Sequence, residues 1–461
     1  MKPSTRIFRE YDIRGIVGDD LTEEVTEAVG RAYATRLTRD RREPTVVVGH
    51  DNRPSSPGLA DALCRGLNAS GARVLRVGEV PTPVLYFAAR VLEGDGGIQI
   101  TGSHNPSEYN GIKMVVDNKA IYGATIQEMR AMIEAEDFET GSAATEEVEI
   151  LDRYVDEIVQ RTDIDGPVSM VLDCGNGAGS IIAERALRAV GIDVTCLYCE
   201  SDGTFPNHHP DPTVDENLQD LIATVRATEG AFGVGLDGDA DRIGAVTETG
   251  AIVRGDHLLL LYALDVLESR PGSAIVFDVK CSQALPEMIS AAGGVPEMSK
   301  TGHSLVKERM RETGSPVAGE MSGHIFFADK YFGFDDAIYA AARLAELVSR
   351  SGSSLEELAA RIPKYPSTPE LRVECSEEHK FDLVADAVSH FKQTHEVIDI
   401  DGARILFEDG WALIRASNTQ PVIVMRFEAG TTEGLRSIRD RVAEYMETAG
   451  VHVPELDEPI S

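Results

Sequence analysis

Apolar and polar positions recur in one order along most of the chain: a short apolar run, a polar loop, then an amphipathic stretch with helical spacing. The first cycle predicts strands at Thr45–Gly49 and Val74–Val77, helices at Pro57–Ser70 and Pro83–Leu92, and a strand, Gly97–Ile100, that runs into Ser103. The second predicts strands at Val168–Asp173 and Val194–Cys199, helices at Ile181–Val190 and Leu218–Thr228, and a strand, Phe232–Leu236, that runs into a row of aspartates. The third predicts helix Asp256–Leu267, strand Ala274–Val279, helices Gln283–Ala292 and Leu305–Arg311, and a strand near Ser315–Ala318 leading into Gly319–His324. Such alternation implies three α/β units whose sheets are largely covered on both faces. In each unit a polar, glycine-containing motif follows a strand, where open α/β sheets place their ligand loops. Beyond a seam at Ser351–Ser354 and Pro363–Pro369, strands dominate from Leu371 to Glu428, with helices near Asp382–Thr394 and Leu435–Ala449. This tail reads as a small α+β domain. The expected division is 1–147, 148–251, 252–363 and 364–461.

Length agrees with several domains, since 461 residues exceed what one hydrophobic core normally supports. Lys+Arg of 44 against Asp+Glu of 77 gives a net charge of −33. That field repels nucleic acid and anionic membrane, so neither is an expected partner. An anionic ligand would need a locally positive pocket, which makes basic residues near the motifs more telling than the total. No apolar run reaches the ~18 residues of a membrane span and no apolar segment follows Met1-Lys2-Pro3, so the expected location is cytoplasmic. The six cysteines are few and scattered, as in a reducing compartment. Cys196 and Cys199 have C-x-x-C spacing, but no second pair completes a zinc site. They read as core cysteines in a buried strand.

Three motifs carry chemistry. Thr101-Gly102-Ser103-His104-Asn105-Pro106 is expected to hold one serine exposed on a surface turn at the end of a strand. Taken alone it reads as an ordinary turn, and without a G-x-S-x-G elbow a hydrolase triad is not favoured. Asp237-Gly238-Asp239-Ala240-Asp241-Arg242 puts carboxylates at alternate positions. An EF-hand needs glycine at its sixth position, where Arg242 stands, and the preceding segment reads as strand. Three carboxylates with few other ligands suit Mg²⁺, which shares its shell with phosphate oxygens. Arg415-Ala416-Ser417-Asn418-Thr419-Gln420-Pro421 places an arginine before small polar donors between two strands, which suits a phosphate cradle or a plain hairpin turn. A serine, a hard-cation site and clustered basic groups together point to phosphoryl transfer.

In this order, with Gly319-Glu320-Met321-Ser322-Gly323-His324 between the second and third motifs, the chain resembles the α-D-phosphohexomutase superfamily over essentially its whole length. Tyr11–Gly15, Asn207–Pro212 and Lys300–His303 support the resemblance. Glu320–His324 is similar to the bifunctional phosphomannomutase/phosphoglucomutase branch; phosphoglucosamine mutases usually carry glutamine where Met321 stands. His50 and Gln420 depart from residues common in the family. The resemblance implies three tandem α/β domains with mixed sheets plus a C-terminal α+β domain, in a four-domain heart-shaped architecture. It implies a phosphoserine at Ser103 and one Mg²⁺ held by Asp237, Asp239, Asp241 and Ser103. It also implies interconversion of hexose 1- and 6-phosphates through a 1,6-bisphosphate, which serves as activator. Arg14, Lys113 and His324 are candidate catalytic groups. Tyr11, Arg242, Lys280, His303, Glu320, Ser322, His324, Arg415, Ser417, Asn418 and Thr419 are candidate substrate contacts. The expected partners are small hexose phosphates, and the expected state is a monomer. The alternatives are a phosphoglucosamine mutase and a non-catalytic sugar-phosphate-binding protein.

Overall fold

A computed structural model describes residues 2–418 and 420–454, which form two compact units: 1–258 with 322–359, and 259–321 with 360–461. The first unit contains two mixed sheets. One has seven strands, ordered Ile13–Ile16, Tyr109–Val116, Gly96–Ile100, Thr45–His50, Arg73–Glu79 and Thr145–Glu147, with Lys119–Ala120 paired to Tyr109–Val116. Thr45–His50 runs parallel to both its neighbours, whereas Gly96–Ile100 meets Tyr109–Val116 antiparallel. The strand leading to Ser103 is therefore internal and wholly buried, which makes it a rigid base for a loop.

The second sheet is ordered Ile252–Val253, Ile243–Val246, Ala231–Leu236, Ser169–Asp173 and Asp193–Leu197. Ala231–Leu236 is parallel to Ser169–Asp173 and antiparallel to Ile243–Val246, so the aspartate loop is the tight connection between two paired strands. Asp193–Leu197 is an edge strand whose exposure alternates, not the buried strand that its apolar residues predict. The helix expected over Ile181–Val190 divides into a 3₁₀ turn, Ala178–Ile181, and helix Ala183–Ala189.

In the second unit, Ala274–Asp278 pairs in parallel with Val295–Ser299 and Val317–Gly319, with helices Ala284–Ala291 and His303–Thr313 following the first two strands. The tail is α+β as expected: an antiparallel sheet ordered Leu371–Glu374, Val422–Ala429, Gly410–Ala416, Ala403–Phe407, Glu396–Ile398, with helices Lys380–Phe391 and Thr432–Thr448 closing its apolar core.

The pattern does not predict helices Ala124–Ala135, Leu151–Arg161 and Ala337–Ser351, nor helix Glu23–Asp40. The buried positions of Glu23–Asp40 include Thr26, Ala28, Gly30, Ala32 and Ala34, and small residues leave little amphipathic signal. They serve close approach instead. A Cβ on Gly66 of helix Ser56–Ala69 would lie 2.0 Å from the Glu27 carbonyl oxygen, and one on Gly30 would lie 2.5 Å from that of Leu63. Gly66→Ala must push these helices apart. We expect it to lower stability by about 2 kcal/mol or more, read as a shift in the urea unfolding midpoint.

Candidate active site

The serine loop is built by a buried arginine. Arg53 is fully buried and donates through Nη2 to the carbonyl oxygens of Ser103 (2.8 Å) and Asn105 (2.6 Å). Its Nη1 donates to the carbonyls of Pro106 (2.6 Å) and Tyr109 (3.1 Å), and its Nε pairs with Asp51 at 3.2 Å. Asp51 in turn accepts from the Gly102 N–H at 3.0 Å. Gly102 must be glycine, because a Cβ there would sit 2.5 Å from the guanidinium. Ser103 itself takes φ of 50°, a left-handed conformation that costs a non-glycine residue energy and is typical of functional positions. The expectation of an exposed serine on a surface turn is corrected: Ser103 is 2% exposed, because its loop is drawn inward by Arg53 and faces the aspartate loop.

Asp237, Asp239 and Asp241 are completely buried. Asp237 Oδ1 accepts the N–H groups of Asp241 and Arg242, both at 3.0 Å, which curls the loop and turns the other carboxyl oxygens to one side. One oxygen from each carboxylate lies within 4.8 Å of those of the other two. The Ser103 hydroxyl donates to Asp237 Oδ2 at 3.1 Å and lies 3.2 Å from His104 Nδ1. Lys113 Nζ bridges Asp239 (2.8 Å) and Asp241 (2.5 Å), and the Thr82 hydroxyl donates to Asp239.

Oδ1 of Asp239 and Oδ1 of Asp241 have no hydrogen-bond partner among the described residues. Orphaned anionic oxygens this deep are costly, so the donor set fits a hard divalent cation. The titration pattern agrees. Burial pushes the Asp237 carboxyl well above the usual carboxylate range, and Asp241 and Asp239 add to it. Burial also opposes charge on Asp239, but the Lys113 ammonium beside it outweighs that and holds the carboxyl low. Lys113, although buried, is held well above its ordinary value by Asp239 and Asp241.

Other candidates gather at the same place. His324 Nε2 accepts from Arg242 Nε at 3.0 Å, leaving Nδ1, 3.2 Å from Asp335, as the protonated nitrogen. Arg14 donates to Asn105 Oδ1 at 3.1 Å and pairs with Asp12 at 2.5 Å. Burial, then Arg242 and Arg14, push His104 well below its ordinary value, so it stands neutral beside Ser103. Ser322 and Tyr11 belong to this unit and are half-buried.

The remaining candidates lie in the second unit. Glu320 accepts the Gly302 N–H at 2.6 Å, beside His303, which begins helix His303–Thr313. Arg415 donates to Asp401 at 3.0 Å, and Asp401 also accepts the Thr301 N–H at 3.0 Å. Lys280 pairs with Glu370 at 3.1 Å. Ser417 and Asn418 begin the turn after strand Gly410–Ala416; Thr419 lies outside the described residues.

The sequence pattern does not single out Asp51 and Arg53 as supports, Thr82 and Asp335 in the first unit, or Lys380 and Glu370 in the second. Asp51-Asn52-Arg53 follows an apolar strand directly, so the rule that found the other loops could have found it. Lys380 has no such signal. It begins an amphipathic helix, yet its ammonium is buried and donates to the carbonyls of Ser417 (2.7 Å) and Gln420 (3.1 Å), tying that turn from beneath.

Four family models match in order along the chain. Phosphoglucomutase/phosphomannomutase alpha/beta/alpha domain I matches residues 5–140, domain II 152–250, domain III 254–365, and the C-terminal domain 370–445. The chain is 48% identical over 435 residues to the phosphomannomutase/phosphoglucomutase of Pseudomonas aeruginosa, covering 94% of each chain. It is 44% identical over 447 residues to a phosphoglucomutase of Neisseria gonorrhoeae, covering 96% of this chain and 97% of that one. A solved phosphoglucomutase/phosphomannomutase family protein from Burkholderia thailandensis superposes with a TM-score of 0.91 at 42% identity, covering 99% of this chain and all of that one.

Burial opposes charge on Glu370, but Lys280 and Arg372 hold its carboxyl down to about 2, against an ordinary 4.5. A depressed folded value stabilises the fold above the unfolded value, and the contribution is lost as pH falls through the folded one. Glu370→Gln should therefore be less stable than the parent by about 1–3 kcal/mol at pH 7. The gap in urea midpoints should narrow steadily as pH is lowered from about 4.5 toward 2.

Proposed function

Because this chain belongs to the phosphoglucomutase/phosphomannomutase family, we propose that its site moves a phosphoryl group between Ser103 and either end of a hexose phosphate. The chain is a hexose-phosphate mutase. The observation that carries the finer reading is the Ser103 hydroxyl, 3.1 Å from a carboxylate of a loop that still has orphaned anionic oxygens. Non-catalytic binding would need neither that serine nor that loop.

In this reading Ser103 bears a phosphoryl group in the resting enzyme. Asp237, Asp239 and Asp241, with a phosphate oxygen on Ser103, would hold Mg²⁺, which when bound offsets charge on the transferring phosphoryl group. Ser103 gives its phosphoryl to the free hydroxyl of a hexose 1- or 6-phosphate. The 1,6-bisphosphate then reverses its orientation and returns the other phosphoryl to Ser103, so free bisphosphate also serves as activator. His324 is the candidate for exchanging the sugar hydroxyl's proton, Lys113, held as an ammonium by Asp239 and Asp241, supplies positive charge beside the transferring group, and Arg14 steadies the serine loop through Asn105. Arg242 supports the His324 ring and adds positive charge. Glu320 and Ser322 hold sugar hydroxyls, with Tyr11, Lys280 and His303 as further contacts. Arg415, Ser417, Asn418 and Thr419 grip the phosphate that is not reacting. The four segments bounded at 147, 251 and 363 each contribute one of these loops, in a chain acting as a cytoplasmic monomer.

Ser103→Ala should lose turnover by at least about 10³-fold, since it removes the phosphoryl acceptor. Mg²⁺ should raise the melting temperature of the parent and not that of Asp239→Asn. Turnover of Ser103→Ala near the parent rate would discard the phosphoserine reading. Absence of any Mg²⁺-dependent shift in the parent would discard the cation.

A ligand that binds in two opposite orientations limits how strictly any one ring position can be read. Hydroxyls at C3 and C4 keep similar places after reversal and C2 does not. Strong rejection of one C2 epimer needs a buried polar group left unpaired, worth about 10⁴-fold. We expect none, so kcat/KM for mannose and glucose 1-phosphates should agree within about 100-fold, a gap of about 3 kcal/mol. The same assay with glucosamine 1-phosphate tests the phosphoglucosamine alternative, which requires that substrate to be preferred.

A further inference from the structure

The expectation that Cys196 and Cys199 are separate core thiols is corrected: they form a disulfide. Both are half-buried at the end of the edge strand Asp193–Leu197, where the strand leaves the sheet and the chain turns. Strand register did not reveal this, because the turn at Tyr198, with φ of 51°, brings residues three apart face to face. A third cysteine is close. Cys174 Sγ lies 3.5 Å from Cys199 Sγ, and the carbonyl oxygens of Leu197 and Leu172 lie 3.6 and 3.7 Å from Cys199 Sγ. These atoms would receive the S–H of a reduced Cys199, so the surroundings accommodate both oxidation states. Disulfides of C-x-x-C spacing that are reachable from solvent belong to the labile, exchanging class.

The turn closed by this disulfide is wired to the serine loop. The Asn176 N–H donates to the Tyr198 carbonyl at 2.9 Å, and the Asn176 amide donates to the Glu200 carbonyl at 2.9 Å. The Asn52 amide donates to the Asn176 carbonyl at 2.7 Å and to the Ser201 hydroxyl at 3.0 Å. Gly203 lies so close that a Cβ there would meet the Asn52 carbonyl at 2.2 Å, and Phe205 stacks on the Arg53 guanidinium at 5.0 Å. Arg53 is the residue that gathers the carbonyls of Ser103, Asn105 and Pro106.

We propose that Cys196 and Cys199 form a thiol–disulfide exchange site for a dithiol, and that its oxidation state sets how firmly the Ser103 loop is held. A thiolate of the dithiol attacks one sulfur of the pair. The Cys196–Cys199 bond breaks as a mixed disulfide forms, and the other cysteine leaves as a thiolate and takes up a proton. The second sulfur of the dithiol then attacks the mixed disulfide, closing its own disulfide and releasing the remaining cysteine. Two electrons and two protons pass to the protein, and nothing else is consumed. Cys174 does not initiate exchange, because burial raises its thiol far above the ordinary range and keeps it protonated. Reduction frees the turn at 198–201 and loosens the packing of Gly203 and Phe205 on Asn52 and Arg53. The consequence for turnover rests on the reading of Ser103 given above.

The test equilibrates the full chain in graded mixtures of oxidised and reduced dithiothreitol. Alkylation of the folded protein should trap two additional thiols on reduction, at Cys196 and Cys199. Amide exchange over residues 101–106 should quicken, and kcat/KM for glucose 1-phosphate should fall about five-fold and recover on reoxidation. The double variant Cys196→Ser, Cys199→Ser should sit at the reduced level whatever the mixture. The proposal is overturned if the folded protein yields no additional thiols at any ratio. It is equally overturned if the reduced protein matches the oxidised one in both exchange and turnover. Quicker exchange at 101–106 with undiminished turnover supports the exchange site and counts against the role of Ser103, which Ser103→Ala checks separately.

Discussion

Three carboxylates that approach within 4.8 Å of one another, all fully buried, are the constraint around which the first unit is organised. Like charges this close and this dry repel strongly, and each loses its hydration. The protein answers with donors. Two backbone N–H groups cap Asp237, a buried lysine bridges Asp239 and Asp241, and the hydroxyl of Thr82, at the start of helix Thr82–Val91, reaches Asp239. The compensation is incomplete, since two of the oxygens have no hydrogen-bond partner among the described residues. An apolar core would be cheaper than such a cluster, so its persistence points to function rather than to stability.

The serine loop meets the same kind of demand. Its backbone is left-handed at Ser103, and several of its carbonyls face inward with no strand to pair with. One guanidinium satisfies them, because five donors in a planar fork can serve a curved loop that regular secondary structure cannot. Asp51 pairs with that charge and also fixes Gly102. Rigidity here comes from hydrogen bonds made at one buried point, which is why a change at the nearby turn can reach it.

The second unit repeats the device with lysine. Lys380 gathers the carbonyls of Ser417 and Gln420 from beneath their turn, and Lys280 is balanced by Glu370. A net charge of −33 makes these placements necessary for any anionic ligand. The positive groups stand inside the fold, where low dielectric strengthens them and the acidic surface screens them least.

The strand–helix order of the three repeated cycles, the three motif loops and the family were legible from sequence, because strand period, loop position and residue chemistry are local properties. The helix Glu23–Asp40 was not, since small residues chosen for close packing blur an amphipathic pattern. Nor was the burial of Ser103, which depends on Arg53 arriving from fifty residues earlier in the chain. The partner of Cys196 was invisible for a related reason: a strand reading sets residues three apart on opposite faces, and only the turn at Tyr198 reverses that. Sequence alone thus determined which chemistry is present and in what order along the chain. Tertiary structure decided which oxygens lack partners, which charges are balanced and which loops are held, because those depend on distances between segments that the local pattern does not contain.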